Sequence, residues 1–155
     1  MSVPFPFGTE LGCFARINLY LACNPGPSPA ILQMSEDLLV TDISIDEGVL
    51  RIRKLSDPGD FLGDRSTTLY SFSGESGVVK WAVDNPTCRE AVLNKNEYRC
   101  VSAHSDCINV TDDTTSKHVG YRCKCSFGFQ GNPYLDDGCT GKLPSVYMPN
   151  FIFVY

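Results

Sequence analysis

The chain has 155 residues, with 13 Lys and Arg against 18 Asp and Glu, a net charge of −5, and 8 Cys. An acidic chain with no basic run excludes nucleic acid, whose phosphates demand Lys and Arg, and an anionic membrane surface. No run approaches the ~20 apolar residues of a membrane span, and this many Cys suits either an oxidising compartment or a metal.

In chain order, Val3-Pro4-Phe5-Pro6-Phe7-Gly8 is extended, because each Pro fixes its own φ and biases the residue before it. Met1-Ser2-Val3-Pro4 lacks the charged and apolar regions of a signal peptide, so an incomplete chain is expected. From Phe14 to Cys23 the pattern alternates. Ala15, Ile17, Leu19, Leu21 and Cys23 fall on one face, which predicts a half-buried strand. Asn24-Pro25-Gly26-Pro27-Ser28-Pro29 is a loop.

Leu38 to Ile45 is a second strand, with Leu39, Thr41, Ile43 and Ile45 on one side. Asp46-Glu47-Gly48 turns it into Val49-Leu50-Arg51-Ile52-Arg53, a hairpin with a bulge. Asp57-Pro58-Gly59-Asp60 is a loop; Thr67–Phe72 and Val78–Val83 form a further strand pair around Ser73–Gly77. Glu90–Tyr98 suits one helical turn or two.

From Cys88 to Cys139 the character changes: six Cys fall in 52 residues and turn residues dominate. Such a segment buries too little to hold itself without cross-links. A tetrahedral zinc would want C-x2-C pairs or clustered His. The close pair is instead Cys123-Lys124-Cys125, and His104 and His118 stand apart. Disulfides are therefore expected, with no metal and no cofactor. Calcium wants six to eight oxygens, and Asp84-Asn85-Pro86-Thr87 before Cys88 does not assemble them.

The fold class is thus mainly β: a small β-rich cysteine-containing domain over residues 1–84, then a disulfide-rich module over residues 85–140. Residues 141–155 form a divergent tail. Six Cys allow fifteen connectivities, and spacing does not choose among them.

The six-Cys segment resembles an epidermal-growth-factor-like module through its C-x-C pair, Ser126-Phe127-Gly128-Phe129-Gln130-Gly131-Asn132-Pro133-Tyr134 and a last Cys. The resemblance implies the pairs Cys88–Cys107, Cys100–Cys123 and Cys125–Cys139. In a strand the two members of C-x-C share one face, which offers them to different partners. Residues 2–140 as a whole resemble the ectodomain of a plant wall-associated receptor kinase. Val3–Gly8 with Gly12-Cys13 is similar to that family's opening. Phe14–Cys23 and Gly48–Ile52 are similar to the rest of its galacturonan-binding domain. Gly131-Asn132-Pro133-Tyr134-Leu135-Asp136-Asp137-Gly138-Cys139 is similar to its first growth-factor-like repeat. The family's opening Cys-x3-Cys is replaced by Met1-Ser2, so Cys13 and Cys23 either bond each other or stay free. No kinase motif is present.

The resemblance implies binding of pectin or oligogalacturonides, on the extracellular side of the plasma membrane or in the cell wall, with other receptor ectodomains as further partners. A polymer of carboxylates calls for guanidinium groups. Arg51, Arg53 and Lys54 are the candidate ligand residues, with Arg16 and Arg65 able to join. Arg51 and Arg53 share a strand face about 7 Å apart. Against this, residues 1–87 hold 6 Lys and Arg against 11 Asp and Glu, so these are equally surface charges balancing Asp42, Asp46 and Glu47. Tyr20, Tyr70, Phe72 and Trp81 are candidate sugar platforms, or core. Asn109-Val110-Thr111 is a glycosylation sequon expected on a surface loop. Nothing pairs a nucleophile with a base or opposes two carboxylates across a cleft, so the chain reads as a non-enzyme. Two alternatives stand beside polysaccharide binding: a structural or protein-interaction module without sugar, and a non-functional truncated product.

Overall fold

The computed structural model describes residues 3–25, 30–55 and 68–142. Arg65 and the loop Asp57–Asp60 lie outside the described residues, as does all of the tail from residue 143. The protein is mainly β.

Six antiparallel strands form one sheet: β1 (Ala22–Asn24), β2 (Ile31–Ser35), β3 (Leu38–Ser44), β4 (Val49–Lys54), β5 (Thr68–Ser73) and β6 (Ser76–Trp81). Their order across the sheet is β1-β2-β3-β4-β6-β5. A short helix, α1 (Cys88–Leu93), follows. Then come a hairpin of β7 (Ser105–Thr111) and β8 (His118–Cys125) and a smaller pair of β9 (Phe129–Gly131) and β10 (Cys139–Gly141).

Several expectations need correction. Phe14–Cys23 is not one strand. Residues Ile17–Leu19 form a 3-10 turn, Ile17 is 75% exposed, and only Ala22–Asn24 pairs as a strand. The cause is the strap at the N-terminus. The Gly8 N–H donates to the Leu19 carbonyl, the Leu21 N–H to that of Gly8, and the Ala15 N–H to that of Pro6. A main chain tied to the strap at three points cannot also run straight along a sheet. Strand β2 was not anticipated. Its signal, Leu32 and Met34 in alternation, is short and follows a Pro-rich run of sequence, of which residues 26–29 lie outside the described residues.

The face of β3 also differs. The pairing shifts between Val40, opposite Ile52, and Asp42, opposite Arg51, which leaves Thr41 as an extra residue. A bulge of this kind inverts the alternation. Leu38 and Val40 therefore pack into the main cluster with Ile43, while Leu39 is buried outside that cluster and Thr41 is exposed. The Thr41 hydroxyl donates to the Arg51 carbonyl at 3.0 Å and holds the bulge. The turn into β4 ends at Gly48, whose φ of +71° favours glycine. A side chain there would also strike Arg122.

Helix α1 starts two residues earlier than expected because of a capping box. Thr87 Oγ1 accepts from the Glu90 N–H while the Glu90 carboxylate accepts from the Thr87 N–H.

The disulfides are Cys88–Cys107, Cys100–Cys123 and Cys125–Cys139, spanning 19, 23 and 14 residues. Each contributes roughly 2–4 kcal/mol by restricting the unfolded chain. Cys13 and Cys23 form no disulfide, contrary to the bonded option: both are exposed thiols. Cys13 sits in the turn that follows the strap, its N–H on the Glu10 carbonyl, whereas Cys23 is committed to β1 opposite Leu32.

The core is shared along the chain. Phe7, Leu19, Leu21, Leu50, Ile52, Val79 and Trp81 form one cluster with Tyr121, Cys123 and Tyr134. The Trp81 ring meets Phe7 edge-on at 4.9 Å between centroids and lies 6.0 Å from Tyr134. The Cys123 N–H donates to the Tyr134 hydroxyl at 2.9 Å, and burial raises that phenol well above its ordinary value, so it stays protonated. Between sheet and hairpin, the Val83 N–H donates to the Tyr121 carbonyl and the Tyr121 N–H to that of Asp84.

These contacts set the first expected outcome. Tyr134→Phe leaves the buried Cys123 N–H without its acceptor and should cost about 1–3 kcal/mol. Trp81→Ala should cost about 3–5 kcal/mol. Denaturant unfolding of the oxidised protein reads both, and a Trp81→Ala loss below that of Tyr134→Phe would contradict the shared core.

Candidate ligand-binding face

Strand alternation divides β4 between two environments. Leu50 and Ile52 are buried against the core, while Arg51 and Arg53 are exposed on the outer face of the sheet. Lys54, by the same alternation, leaves that face. Its ammonium lies 4.0 Å from the centroid of the Phe72 ring, a cation–π contact. Arg16 is elsewhere again, paired with the carboxylate of Asp84, which is only 7% exposed. The structure thus brings Arg51 and Arg53 together and places Lys54 and Arg16 apart from them. A strand reading of Arg51-Ile52-Arg53-Lys54 already contained this split, since neighbours point to opposite faces.

Arg51 is held by two carboxylates, Asp42 at 2.6 Å and Glu47 at 2.7 Å. Hydrogen bonds to Asp42 and then Glu47 raise the guanidinium above its ordinary value. Both pairs are about half exposed, so each contributes little to stability. The third carboxylate of that hairpin goes to another partner. Lys124 approaches Asp46 at 3.5 Å, and Arg122 donates to the Asp46 carbonyl at 3.0 Å. Arg53 makes no ion pair with any described residue.

An open groove of about 380 Å³ runs over the outer face, lined by Thr41, Arg51, Arg53, Ser71, Ser73 and Ser76 around Val78. Its floor is apolar, its walls carry hydroxyls, and its rim is cationic. A sugar ring wants that combination: C–H faces on an apolar floor and oxygens toward convergent polar groups. Sequence reasoning found the two arginines but not the serines. Their signal was the alternation of Leu69, Ser71 and Ser73 with Tyr70 and Phe72 on β5.

A second groove of about 380 Å³ adjoins the first and shares Ser71 and Val78 with it; Leu69, Lys80, Asp112, Asp113 and Thr114 complete it. The Asp112 carboxylate accepts from the Thr114 N–H at 2.8 Å and the Thr115 N–H at 2.9 Å. These bonds build the turn that presents Asp113 to Lys80.

Of the aromatic candidates, Trp81 is fully buried and presents no face to a sugar. Tyr70 and Phe72 stack on each other on the core side of the sheet, and Tyr20 packs edge-on against Phe14. Asn109 lies on strand β7, not on a loop, and is exposed. Its side-chain oxygen accepts from the Cys88 N–H at 2.8 Å. Among the described residues, no cluster of three or more His, Cys, Asp or Glu is placed to hold a metal. No helix there is long and apolar enough to cross a membrane.

Comparison with curated proteins finds wall-associated receptor kinases among the relatives. The chain is 35% identical over 95 residues to wall-associated receptor kinase 5 of Arabidopsis thaliana, covering 61% of this chain and 11% of that protein. It is 41% identical over 63 residues to wall-associated receptor kinase 2 of the same plant, covering 40% of this chain and 7% of that protein. Its sequence is wall-associated receptor kinase ectodomain-like. Wall-associated receptor kinase 4 of Arabidopsis thaliana is similar too, 37% identical over 62 residues, again 40% of this chain and 7% of that protein. The chain therefore spans about a tenth or less of the length of these wall-associated relatives. The regions matched are ectodomain and not catalytic parts of those kinases. No family model matches the chain, and no solved structure matches it significantly.

The turn beside the groove gives a pH prediction. Backbone hydrogen bonds from Thr115 and Thr114 lower the Asp112 carboxyl below its ordinary value of 3.8. A depressed folded value adds stability above the unfolded value and loses it as pH falls through the folded one. Carboxyl-carbon NMR should therefore place the Asp112 midpoint below 3.8, and the protection of the Thr114 and Thr115 amides, relative to their intrinsic exchange rates, should fall as pH drops through that midpoint. A midpoint above it would mean that the turn is not built by Asp112.

Proposed function

We propose that the chain is a non-catalytic extracellular module that binds an acidic cell-wall polysaccharide, galacturonan or its oligomers, in the groove over the outer face of its sheet. The carrying observation is the groove that Arg51, Arg53, Thr41, Ser71, Ser73 and Ser76 line around Val78. A guanidinium reads a carboxylate with two bonds, and the hydroxyls suit the ring oxygens. Likeness to wall-associated receptor kinases supports the wall as the setting. Arg53 is the principal reader in this proposal, because Arg51 has two carboxylates of its own to leave.

A second reading is a protein-interaction module without sugar binding. It is favoured by one observation: Phe127 is fully exposed in the turn between β8 and β9, an aromatic anchor with nothing beneath it.

Calorimetric titration with oligogalacturonides tests the first reading. Arg53→Ala should weaken binding about tenfold, equivalent to ~1.4 kcal/mol. Arg51→Ala should weaken it less, and the affinity should fall as salt rises. Equal affinity in the Arg51→Ala/Arg53→Ala protein would remove the groove as the site. Loss of sister-ectodomain binding in Phe127→Ala, with no sugar binding by the parent, would favour the second reading.

A further inference from the structure

The two grooves over the sheet are parts of one trough, and its far end is not made by the sheet. The first groove and the second share Ser71 and Val78. Beyond Val78 the floor continues over Leu69 to Lys80, which stands on the same outer face as Arg51, two residues from Val78 on β6. There the wall passes to the turn at residues 112–114, contributed by the β7–β8 hairpin. A third depression of about 290 Å³ begins past this point and shares Lys80 and Asp113 with the second; Arg122 and Asn109 line it. The Lys80–Asp113 ion pair therefore stands across the trough, between the second depression and the third.

We infer that the disulfide-bonded half supplies the far wall of the polysaccharide trough, with Lys80 as a second carboxylate-binding residue and Asp113 as its intramolecular competitor. This rests on the polysaccharide reading above and extends it to a place where neither half is sufficient alone.

Lys80 keeps 43% of its side chain exposed and Asp113 keeps 75%, so the pair is screened and readily exchanged for another carboxylate. A ligand carboxylate reaching Lys80 takes the place of Asp113 without burying a new charge. Asp113 itself does not swing freely, because the Asp112 carboxylate holds the turn through Thr114 and Thr115. The competitor is thus presented at a fixed place, which makes it selective. A neutral chain leaves the Lys80–Asp113 pair closed across the trough, whereas an acidic chain opens it. The arrangement at Arg51, held by Asp42 and Glu47, follows the same rule. Among the described residues, Arg51 and Lys80 are pre-paired with carboxylates and Arg53 is not.

Short and long oligogalacturonides, titrated into the full oxidised chain, test this. Asp113→Asn should raise affinity for the long oligomer about threefold by freeing Lys80. Lys80→Ala should lower it about fivefold, and the combined variant should lose the gain of Asp113→Asn. The short oligomer, held at the Arg53 end, should respond to Arg53→Ala and hardly to Lys80→Ala. If the pair were only a structural tie, Asp113→Asn would lower the melting temperature and leave affinity unchanged. Binding by the parent chain that weakens in Arg53→Ala but is unchanged in both Lys80→Ala and Asp113→Asn would overturn this inference and leave the polysaccharide reading standing. An absence of binding by the parent chain overturns both.

Discussion

The edge-on contact of Phe7 with Trp81, and the tilted contact of Trp81 with Tyr134, join three lengths of chain that lie far apart in sequence. Phe7 belongs to the N-terminal strap, Trp81 to the last strand of the sheet, and Tyr134 to the turn before the final disulfide. None of the three lengths has enough apolar surface to close a core by itself. The six-stranded sheet buries only one face, and the cysteine-rich half replaces core with bridges. The aromatic joint lets each half use the other as its missing layer. Two polar groups beside the joint are satisfied from the same segments, the Asn132 amide donating to the Phe5 carbonyl and the Cys123 N–H to the Tyr134 hydroxyl, whereas the buried Trp81 indole N–H has no partner among the described residues.

That joint explains what was legible in the sequence. The β3–β4 and β5–β6 hairpins could be read because Gly48 and Gly74 punctuate clean alternation. The Thr41 bulge, the 3-10 turn and the role of the large aromatics could not be read. The bulge at Thr41 exchanges faces without any change of residue type, since Thr suits a strand as well as a bulge. The 3-10 turn at Ile17–Leu19 exists because Gly8 and Pro6 take its hydrogen bonds, a contact that local periodicity does not carry. The capping box at Thr87 and Glu90 was present as a spacing of three and fixes where α1 starts. Trp81 and the other large aromatics read equally as core and as sugar platforms. Only the three-dimensional meeting with Phe7 and Tyr134 decides between them.

The charged residues teach a related point. A cluster in sequence, Arg51-Ile52-Arg53-Lys54, becomes two groups on opposite faces of a sheet one strand thick. Conversely, Lys80 and Asp113 stand 33 residues apart and meet across the boundary between the halves. The acidic excess of the first half is not spread evenly over its surface. Asp42 and Glu47 are spent on Arg51, and Asp84 on Arg16, so the net charge says little about the potential over the outer face of the sheet. Arg53 is where that potential is least cancelled.

The short ladder at Val83, Asp84 and Tyr121 has a mechanical meaning. Polypeptide linkers between modules usually act as hinges, and a hinge lets two modules report independently. Here the connecting residues are themselves paired to a strand, and bending them would break two main-chain bonds and wet a tryptophan. The direction in which the trough points is therefore locked to the direction of the last disulfide. A tug on a polymer lying in that trough would be passed on as torque to the bridged half, rather than dissipated as slack.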